Sequence, residues 1–568
     1  MLPHQGPSFR QAVERLHQQS SDKSVYPRPD LYSLGQYLKL SPTPSKFPNA
    51  TTSGYLTPSR SSEGDKTSSF AVVHDLNGGS ATSFGPSASE LTQFANRPLT
   101  ANPAILFLRG HASPQWLNCV GDKYDINPEL FHRHMQFPPF ALGDRDLYAS
   151  PSLPSSSTRV FQLTISTICD RNVTGTPYEP EDLEDARRSE VAALEAYFRR
   201  LRSEAQVTDS WVRNCLLFSN REYILEQTIS IEVGPSQGDP WRAVVWLDNG
   251  TDLARSVEGP WSPRPNTRSW ETFFYPIIVH QANSSSGTPA PVRGRSSSSS
   301  STVRSSSAPK LEDPSISSPA PGNAAAGTSW KAAQNICLLP FYYGAKLDRE
   351  TATQDAVYAL SEVFQFAASS ELQFLNFIHK RIEHELSFIG QHTVIRHNSV
   401  SLVNLRYIKK HLDSHAQRLA DVVTILRNRD SLDWPCAPGS QKAQHTARLL
   451  LTDFDYLLAR AEALARACEH GMDTLGNSSI LEEARRSTEN AARVHKLTVI
   501  ATIFIPLSFA CSLWGMNFKE FGTGSQPLWL FPVTAAPVLV IAAVIYCYDL
   551  IVFWYRKTKH YVYRNDMC

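Results

Sequence analysis

Two long apolar segments lie near the C-terminal end of the chain. Residues 497–517 contain no charged side chain, and residues 528–554 contain only Asp549. A helix needs about 20 consecutive apolar residues to cross a bilayer. The pattern therefore predicts two transmembrane helices, 497–517 and 528–554, joined by a short loop at 518–527.

Basic residues around these segments predict their orientation. Four arginines and lysines lie within residues 485–496, and four more lie in the tail, 555–568. The loop between the two segments carries one lysine and one glutamate. Because positive charge favours the cytosolic side, we expect an integral membrane protein with both termini in the cytosol and the loop outside. The plasma membrane is the expected location, with membrane lipid as a partner.

A helical stalk is predicted before the first apolar segment, over residues 346–496. Apolar residues recur there at helical spacing, and strand signals are absent. Prolines and a glycine in DWPCAPGS interrupt this pattern at 432–440. Ser479 and Glu482 have the spacing of a capping box, which predicts that the last helix starts or is re-capped there. The predicted stalk helices are 349–386, 401–430 and 441–472.

The N-terminal half has a mixed pattern. Residues 1–103 are rich in Ser, Thr, Pro and Gly and are expected to be disordered. Residues 104–345 are expected to form a cytosolic α/β domain, interrupted by a low-complexity insert at 283–329. The fold class predicted is thus an α+β membrane protein. The expected strands of the domain are 105–110, 157–167, 215–220, 223–233 and 241–247, and its expected helices are 125–134 and 179–206.

Composition and charge exclude several functions. The net charge is +1, so no basic excess supports a nucleic-acid partner. The nine cysteines are scattered without a CxxC pair, which argues against a zinc site. No nucleophile lies in a context that supports catalysis, so we expect neither an enzyme nor a bound cofactor.

A stripe of mostly small or hydroxylated residues runs along the predicted last helix into the membrane. Its members follow each other in steps of four and three, the spacing of a heptad seam. Small residues at this spacing are equally typical of tight helix packing in a membrane and of several copies assembled around a central axis. We define the stripe as Ile480, Ala484, Ser487, Ala491, Val494, Thr498, Ala501, Ile505, Ser508 and Ser512.

The tripeptide Gly515-Met516-Asn517 stands at the outer end of the first apolar segment. The surrounding sequence, LTVIATIFIPLSFACSLWGMNF, closely resembles the pore helix of CorA-type magnesium channels, whose signature is Gly-Met-Asn before a short loop and a second span. The close resemblance covers about sixty C-terminal residues. It implies a homo-oligomeric funnel, a pentamer, that conducts Mg²⁺ down the membrane potential, with Mg²⁺ also acting as a regulatory ligand.

The resemblance also implies roles for individual residues. Gly515, Met516 and Asn517 would form the selectivity filter, where the Asn517 carbonyl contacts a hydrated ion. The pore lining would continue inward along the stripe. Its implied members are Ser512 and Ser508, which offer hydroxyls, Ile505, which forms a hydrophobic constriction, and Ala501.

The sequence also departs from the family pattern. The outer loop reads KEFGTGSQPLW instead of a stretch with Met-Pro-Glu-Leu, so Glu520, beside Lys519, is its one residue for attracting cations. Two alternatives therefore stay open: a non-conducting membrane-anchored sensor or scaffold, and a Zn²⁺ transporter of the same family. Glu482, Glu483 and Glu489 are candidates for a cytosolic metal sensor, although a solvated helix face is the favoured interpretation.

Overall fold

The computed structural model forms two compact units. The first comprises Met1–Ser387 and Val403–Glu469, and the second comprises Phe388–Leu402 and His470–Cys568. The residues that the structure describes are 8–18, 28–40, 69–79, 81–135, 159–172, 180–219, 221–234, 240–262, 271–279, 334–387, 395–429, 432–514, 519, 525, 527–541, 543, 544 and 548.

An eight-stranded sheet forms the centre of the first unit. Its strands follow the order β2-β1-β3-β7-β6-β4-β8, and β5 pairs with β6 outside this path. The strands are β1 (Ala71–Asp75), β2 (Thr82–Phe84), β3 (Ala104–Arg109), β4 (Val160–Asn172), β5 (Asn214–Leu217), β6 (Glu222–Val233), β7 (Arg242–Leu247) and β8 (Glu271–Phe274).

Strand pairing is antiparallel except between β3 and β7, which are parallel neighbours in the described sheet. All six residues of β3 are buried. A parallel strand covered on both faces has this continuous apolar pattern, without the alternation of a half-exposed strand. The mixed sheet therefore gives the N-terminal region its α/β character, as the sequence predicted.

Six α-helices accompany the sheet in the described part of this region. Phe9 of the first helix lies among buried residues, where its ring meets Phe131 edge to face at 5.3 Å. Phe131 in turn contacts Trp246 of β7, so this helix belongs to the same apolar core as the sheet. The helices are α1 (Phe9–Gln18), α2 (Tyr32–Leu38), α3 (Ala88–Asn96), α4 (Pro114–Tyr124), α5 (Pro128–Met135) and α6 (Pro180–Glu204).

The N-terminal boundary of the domain differs from the expectation. We expected disorder over 1–103, but the described residues of this region include α1, α2, β1, β2 and α3. Phe9, Val13 and Phe70 are buried in the core. Composition did not predict these elements, because their few apolar residues are spread over a polar stretch. They are buried by contacts with residues that are distant in the sequence. The expected insert at 283–329 lies outside the described residues.

Helices α7 to α12 follow the sheet. The predicted single helix over 349–386 is divided at Asp355. This residue has an extended backbone conformation and caps the next helix, since its carboxylate accepts a hydrogen bond from the Tyr358 amide at 2.8 Å. The Asp355 carboxylate also accepts from the Ala437 amide in the 432–440 connection. The helices are α7 (Leu339–Tyr342), α8 (Arg349–Gln354), α9 (Ala356–Ala359), α10 (Ser361–Leu386), α11 (Ile395–Arg427) and α12 (Gln441–Trp514).

Helix α12 continues without a break for 74 residues. The expected start or re-capping at Ser479 is therefore wrong. The Ser479 hydroxyl donates to the Leu475 carbonyl at 2.9 Å, one turn back in the same helix, instead of accepting from an amide ahead of it. Such back-bonding leaves the helix continuous.

In the second unit, α12 contains a stretch that is long and apolar enough to cross a membrane, by length and composition. Only 6% of this stretch is buried. A shorter apolar helix, α13, covers Leu530–Ile541. The predicted second span, 528–554, is thus described only in its first part, and the tail at 555–568 lies outside the described residues.

Candidate functional site

All ten residues of the stripe lie on α12, so the seam predicted from the sequence follows one unbroken helix. Nine of them are exposed in the single chain, and Ala501 is half-buried. Ile505, an apolar residue at the centre of the apolar stretch, exposes 67% of its surface. Exposed apolar surface on this scale marks a surface that contacts lipid or other protein.

Two threonines near the start of the apolar stretch direct their hydroxyls at the helix itself. The Thr498 hydroxyl donates to the Val494 carbonyl at 2.9 Å, and the Thr502 hydroxyl donates to the Thr498 carbonyl at 2.8 Å. The threonine of the stripe is thereby satisfied without a partner helix. In an apolar environment this internal bond lowers the cost of burying a hydroxyl.

Pro506 lies inside α12, next to Ile505 of the stripe. Proline has no amide hydrogen, so the Thr502 carbonyl, four residues earlier, lacks its usual helical donor. A carbonyl in this position keeps its hydrogen-bonding capacity for another group. The described helix then continues past Ser508 and Ser512 and ends at Trp514.

The predicted filter, Gly515, Met516 and Asn517, lies outside the described residues, as does Glu520 of the outer loop. The structure nevertheless brings the inner candidates together. Ala501, Ile505, Ser508 and Ser512 share one face of α12, because helical residues three and four apart are neighbours.

The acidic candidates on α12 are paired along the helix surface. Glu489 accepts from Arg485 at 3.1 Å, and Glu482 lies 3.4 Å from Arg486, each with a spacing of four residues. Glu483 is also exposed. These contacts support the interpretation as a solvated face. No group of three or more potential metal ligands occurs among the residues that the structure describes.

A buried ionic cluster connects the sheet to the helices within the first unit. His415 of α11 lies between two carboxylates: its Nδ1 is 2.8 Å from Glu371 of α10, and its Nε2 is 2.7 Å from Glu226 of β6. Arg418 reaches the same Glu226 oxygen at 3.0 Å. The ring of Phe374 stacks on the imidazole at 3.9 Å. We call Glu226, Glu371, His415 and Arg418 the junction cluster.

Charges in the junction cluster shift one another's pKa values. Burial alone would lower the pKa of His415, but the charge of Glu371 and the hydrogen bonds to both glutamates outweigh it and raise that pKa. Burial would likewise raise the pKa of Glu226, whereas the charges of Arg418 and His415 hold it well below the usual range. The raised pKa favours the protonated form of His415, in which two carboxylates and two cations balance each other.

The junction cluster was not predicted from the sequence. Glu226 is one of two acidic residues in the strand YILEQTISIEV, where it resembles an exposed position of an alternating strand. Its partners are 189 and 192 residues away. The local signal available was an acidic residue between Leu225 and Gln227, which does not distinguish an exposed charge from a paired buried one.

A family model, CorA-like Mg²⁺ transporter protein, matches residues 344–548. The chain is thus similar to this family over residues 344–548, which we call the CorA-like segment. No curated protein matches the chain. The CorA-like segment contains α8 to α12 and the described part of α13, together with the positions of the predicted filter.

The sheet lies outside the CorA-like segment. Of the junction cluster, Glu371, His415 and Arg418 belong to the segment, and Glu226 belongs to the sheet. The cluster therefore ties the N-terminal sheet directly to the family-matched helices, across the boundary of the match.

Proposed function

We propose that the protein is a divalent-cation channel, with Mg²⁺ as the transported ion, built from several copies of α12 around a central axis. The observation that carries this proposal is the stripe: an exposed, continuous seam of small and hydroxylated residues that leads towards Gly-Met-Asn inside a CorA-like segment. One hairpin of two spans encloses no path for an ion, so the function requires oligomerisation. A pentamer is proposed, with two spans per subunit and both termini in the cytosol.

The chemistry of the filter follows from the hydration of the ion. Mg²⁺ gives up its water reluctantly and usually keeps several water molecules when it binds. A ring of Asn517 carbonyls would contact the hydrated ion through its water, while Gly515 permits a close turn and Met516 stands between them. Neutral carbonyl dipoles bind weakly enough for the ion to leave, as conduction requires.

The inner pore would be lined by the shared face of α12. Ser512 and Ser508 supply hydroxyls to the water around the ion, Ile505 forms the apolar constriction, and Ala501 permits close helix packing. Glu520 attracts cations at the outer mouth. A divalent ion that crosses 100 mV gains about 4.6 kcal/mol, twice the value for a single charge, so no other energy source is needed.

Ion uptake into liposomes tests the proposal. The full chain is reconstituted with an internal Mg²⁺ dye under an inside-negative potential. We expect Asn517→Ala to lose uptake when compared with the wild type at matched insertion. The control is Asn477→Ala, which changes an exposed asparagine of α12 outside the apolar stretch and should take up Mg²⁺ like the wild type. If an assembled wild-type oligomer takes up no ion, the sensor or scaffold is the better interpretation. A Zn²⁺ dye with an imposed proton gradient tests the zinc alternative.

A neighbouring pair of substitutions tests the direction of the stripe. Ser512→Leu places a larger apolar side chain on the proposed lining, whereas Cys511→Leu places the same side chain one residue away, at an exposed position off the stripe. We expect Ser512→Leu to reduce uptake much more than Cys511→Leu. Equal effects would contradict the assignment of this face to the pore. The mass of the complex in mild detergent tests the pentamer.

A further inference from the structure

A basic hollow lies in the first unit, remote in sequence from the CorA-like segment. It opens where the C-terminal end of α3 meets α4 and the first residues of β3 and β7, which pair in parallel at Ala104 and Arg242. Its empty volume, including the part open to solvent, is about 290 Å³. Three cationic side chains line it, Arg97, Lys123 and Arg242, and none of its described lining residues is acidic.

The charge of Lys123 is already engaged. Its ammonium donates to the carbonyls of Phe94, Ala95 and Arg97, the last two at 3.2 and 2.5 Å. These carbonyls lie at the C-terminal end of α3, where the helix dipole favours a cation. Lys123 therefore compensates the end of the helix, and the two guanidinium groups carry the remaining positive charge of the hollow.

Neither arginine forms an ion pair with a residue in the described ranges. Nη1 of Arg97 is inaccessible to solvent and has no hydrogen-bond partner in this part of the chain. Nη2 of Arg242 reaches the Thr100 carbonyl only at 3.5 Å, the outer limit of a hydrogen bond. A buried donor without an acceptor is costly. The two guanidinium charges have no acidic residue beside them in the described lining of the hollow, so they attract an anion to it.

Tyr124 completes the set of donors. Its ring stacks on Phe94 at 6.2 Å, with only 14° between the planes, which fixes its position in the hollow. Burial raises the pKa of Tyr124 to about 12, against the opposing charges of Arg97 and Arg242, which both act on this phenol. The hydroxyl therefore stays protonated and can donate.

We propose that Arg97, Arg242 and Tyr124 form a binding site for a phosphate group. Guanidinium groups present paired donors whose geometry matches the oxygens of phosphate, and the phenol adds a third direction of approach. The hollow is open to solvent, so a phosphate group can approach it from outside. The source is either free phosphate or the terminal phosphate of a nucleotide, since both offer the same oxygens. This proposal is independent of cation transport.

Binding is measured by isothermal titration of the full chain in detergent with inorganic phosphate or with ATP, both in EDTA and at constant ionic strength. EDTA removes divalent cations, so transport plays no part in the signal. We expect saturable binding to the wild type. Tighter binding of ATP would identify a nucleotide as the source, and equal binding would identify phosphate alone.

Arginine substitutions provide the decisive comparison. Loss of one charged hydrogen-bond partner is worth about tenfold or more in affinity. We expect that loss for Arg97→Gln and for Arg242→Gln, and no detectable binding for the double variant. Arg199→Gln, at an exposed position of α6, should bind like the wild type. Thermal unfolding confirms that each variant is folded. Absent wild-type binding, or equal binding by the folded double variant, would overturn the proposal.

Discussion

The junction cluster permits a stringent test of how the sheet is held on the helices. His415→Gln removes one positive charge from the cluster but keeps a polar side chain that can still bond one glutamate. Side-chain exposures are 1% for His415 and 6% for both Glu226 and Glu371, whereas Arg418 exposes 37%. Two buried carboxylates would then share a single, more exposed cation.

The expected loss of stability is large. Removal of one partner from a buried ion pair typically costs about 3–5 kcal/mol, because the other charge stays buried without compensation. Since about 1 kcal/mol shifts the midpoint of a medium-sized domain by a few degrees, the fall in melting temperature should be on the order of 10 °C. His379→Gln is the matched control: this α10 histidine pairs with Glu383 but has 49% of its side chain exposed. Its loss should be small.

Thermal unfolding of the full chain in detergent, followed by tryptophan fluorescence, measures both variants. The double variant His415→Gln with Glu371→Gln restores charge balance, because one glutamate and one arginine remain. We therefore expect it to recover part of the stability lost in His415→Gln. The reasoning is refuted if His415→Gln melts no lower than His379→Gln, or if the double variant melts no higher than His415→Gln.

The cluster also predicts a pH dependence. Because the folded pKa of His415 is raised above its ordinary value of 6.5, the stability it contributes is fully present below pH 6.5 and declines as the pH rises through the raised value. The difference in melting temperature between wild type and His415→Gln should therefore be largest at acidic pH and shrink on the alkaline side. Glu226 acts in the opposite sense: with a lowered pKa, its contribution is lost as the pH falls below 4.5. A wild-type advantage that grows with rising pH above 6.5 would contradict this assignment.

Two further substitutions test packing contacts. The Ser370 hydroxyl accepts a hydrogen bond from the β4 backbone at 2.8 Å and donates one to it at 3.0 Å. Ser370→Ala should therefore lower the free energy of unfolding by about 1–3 kcal/mol, measured by thermal unfolding. Ser369→Ala should lower it much less, because the Ser369 hydroxyl bonds only its own helix. A Cβ on Gly121 would lie 2.4 Å from the Phe9 ring, so Gly121→Ala should displace α1 and accelerate its cleavage by trypsin. Gly79→Ala should not, because no atom of the described residues lies within 4 Å of a Cβ there.

Periodicity alone predicted the elements whose burial is regular. The strand predicted at 223–233 is β6, and the helix predicted at 179–206 is α6, because each pattern repeats over a whole element. The stripe on α12 was predicted for the same reason, since a spacing of three and four residues is a property of one helix. The break at Asp355 could not be predicted from periodicity, because it depends on an amide contributed by Ala437, far along the chain.

The sequence by itself determined the apolar stretch of α12, the stripe on it and the Gly-Met-Asn that follows, because length, spacing and motif are local properties of the chain. Tertiary structure decided which polar residues are buried. Glu226 and His415 lie 189 residues apart, and the basic hollow combines residues of α3, α4 and β7. Whether a charged side chain faces water or a partner depends on the packing of distant segments, which no local pattern records.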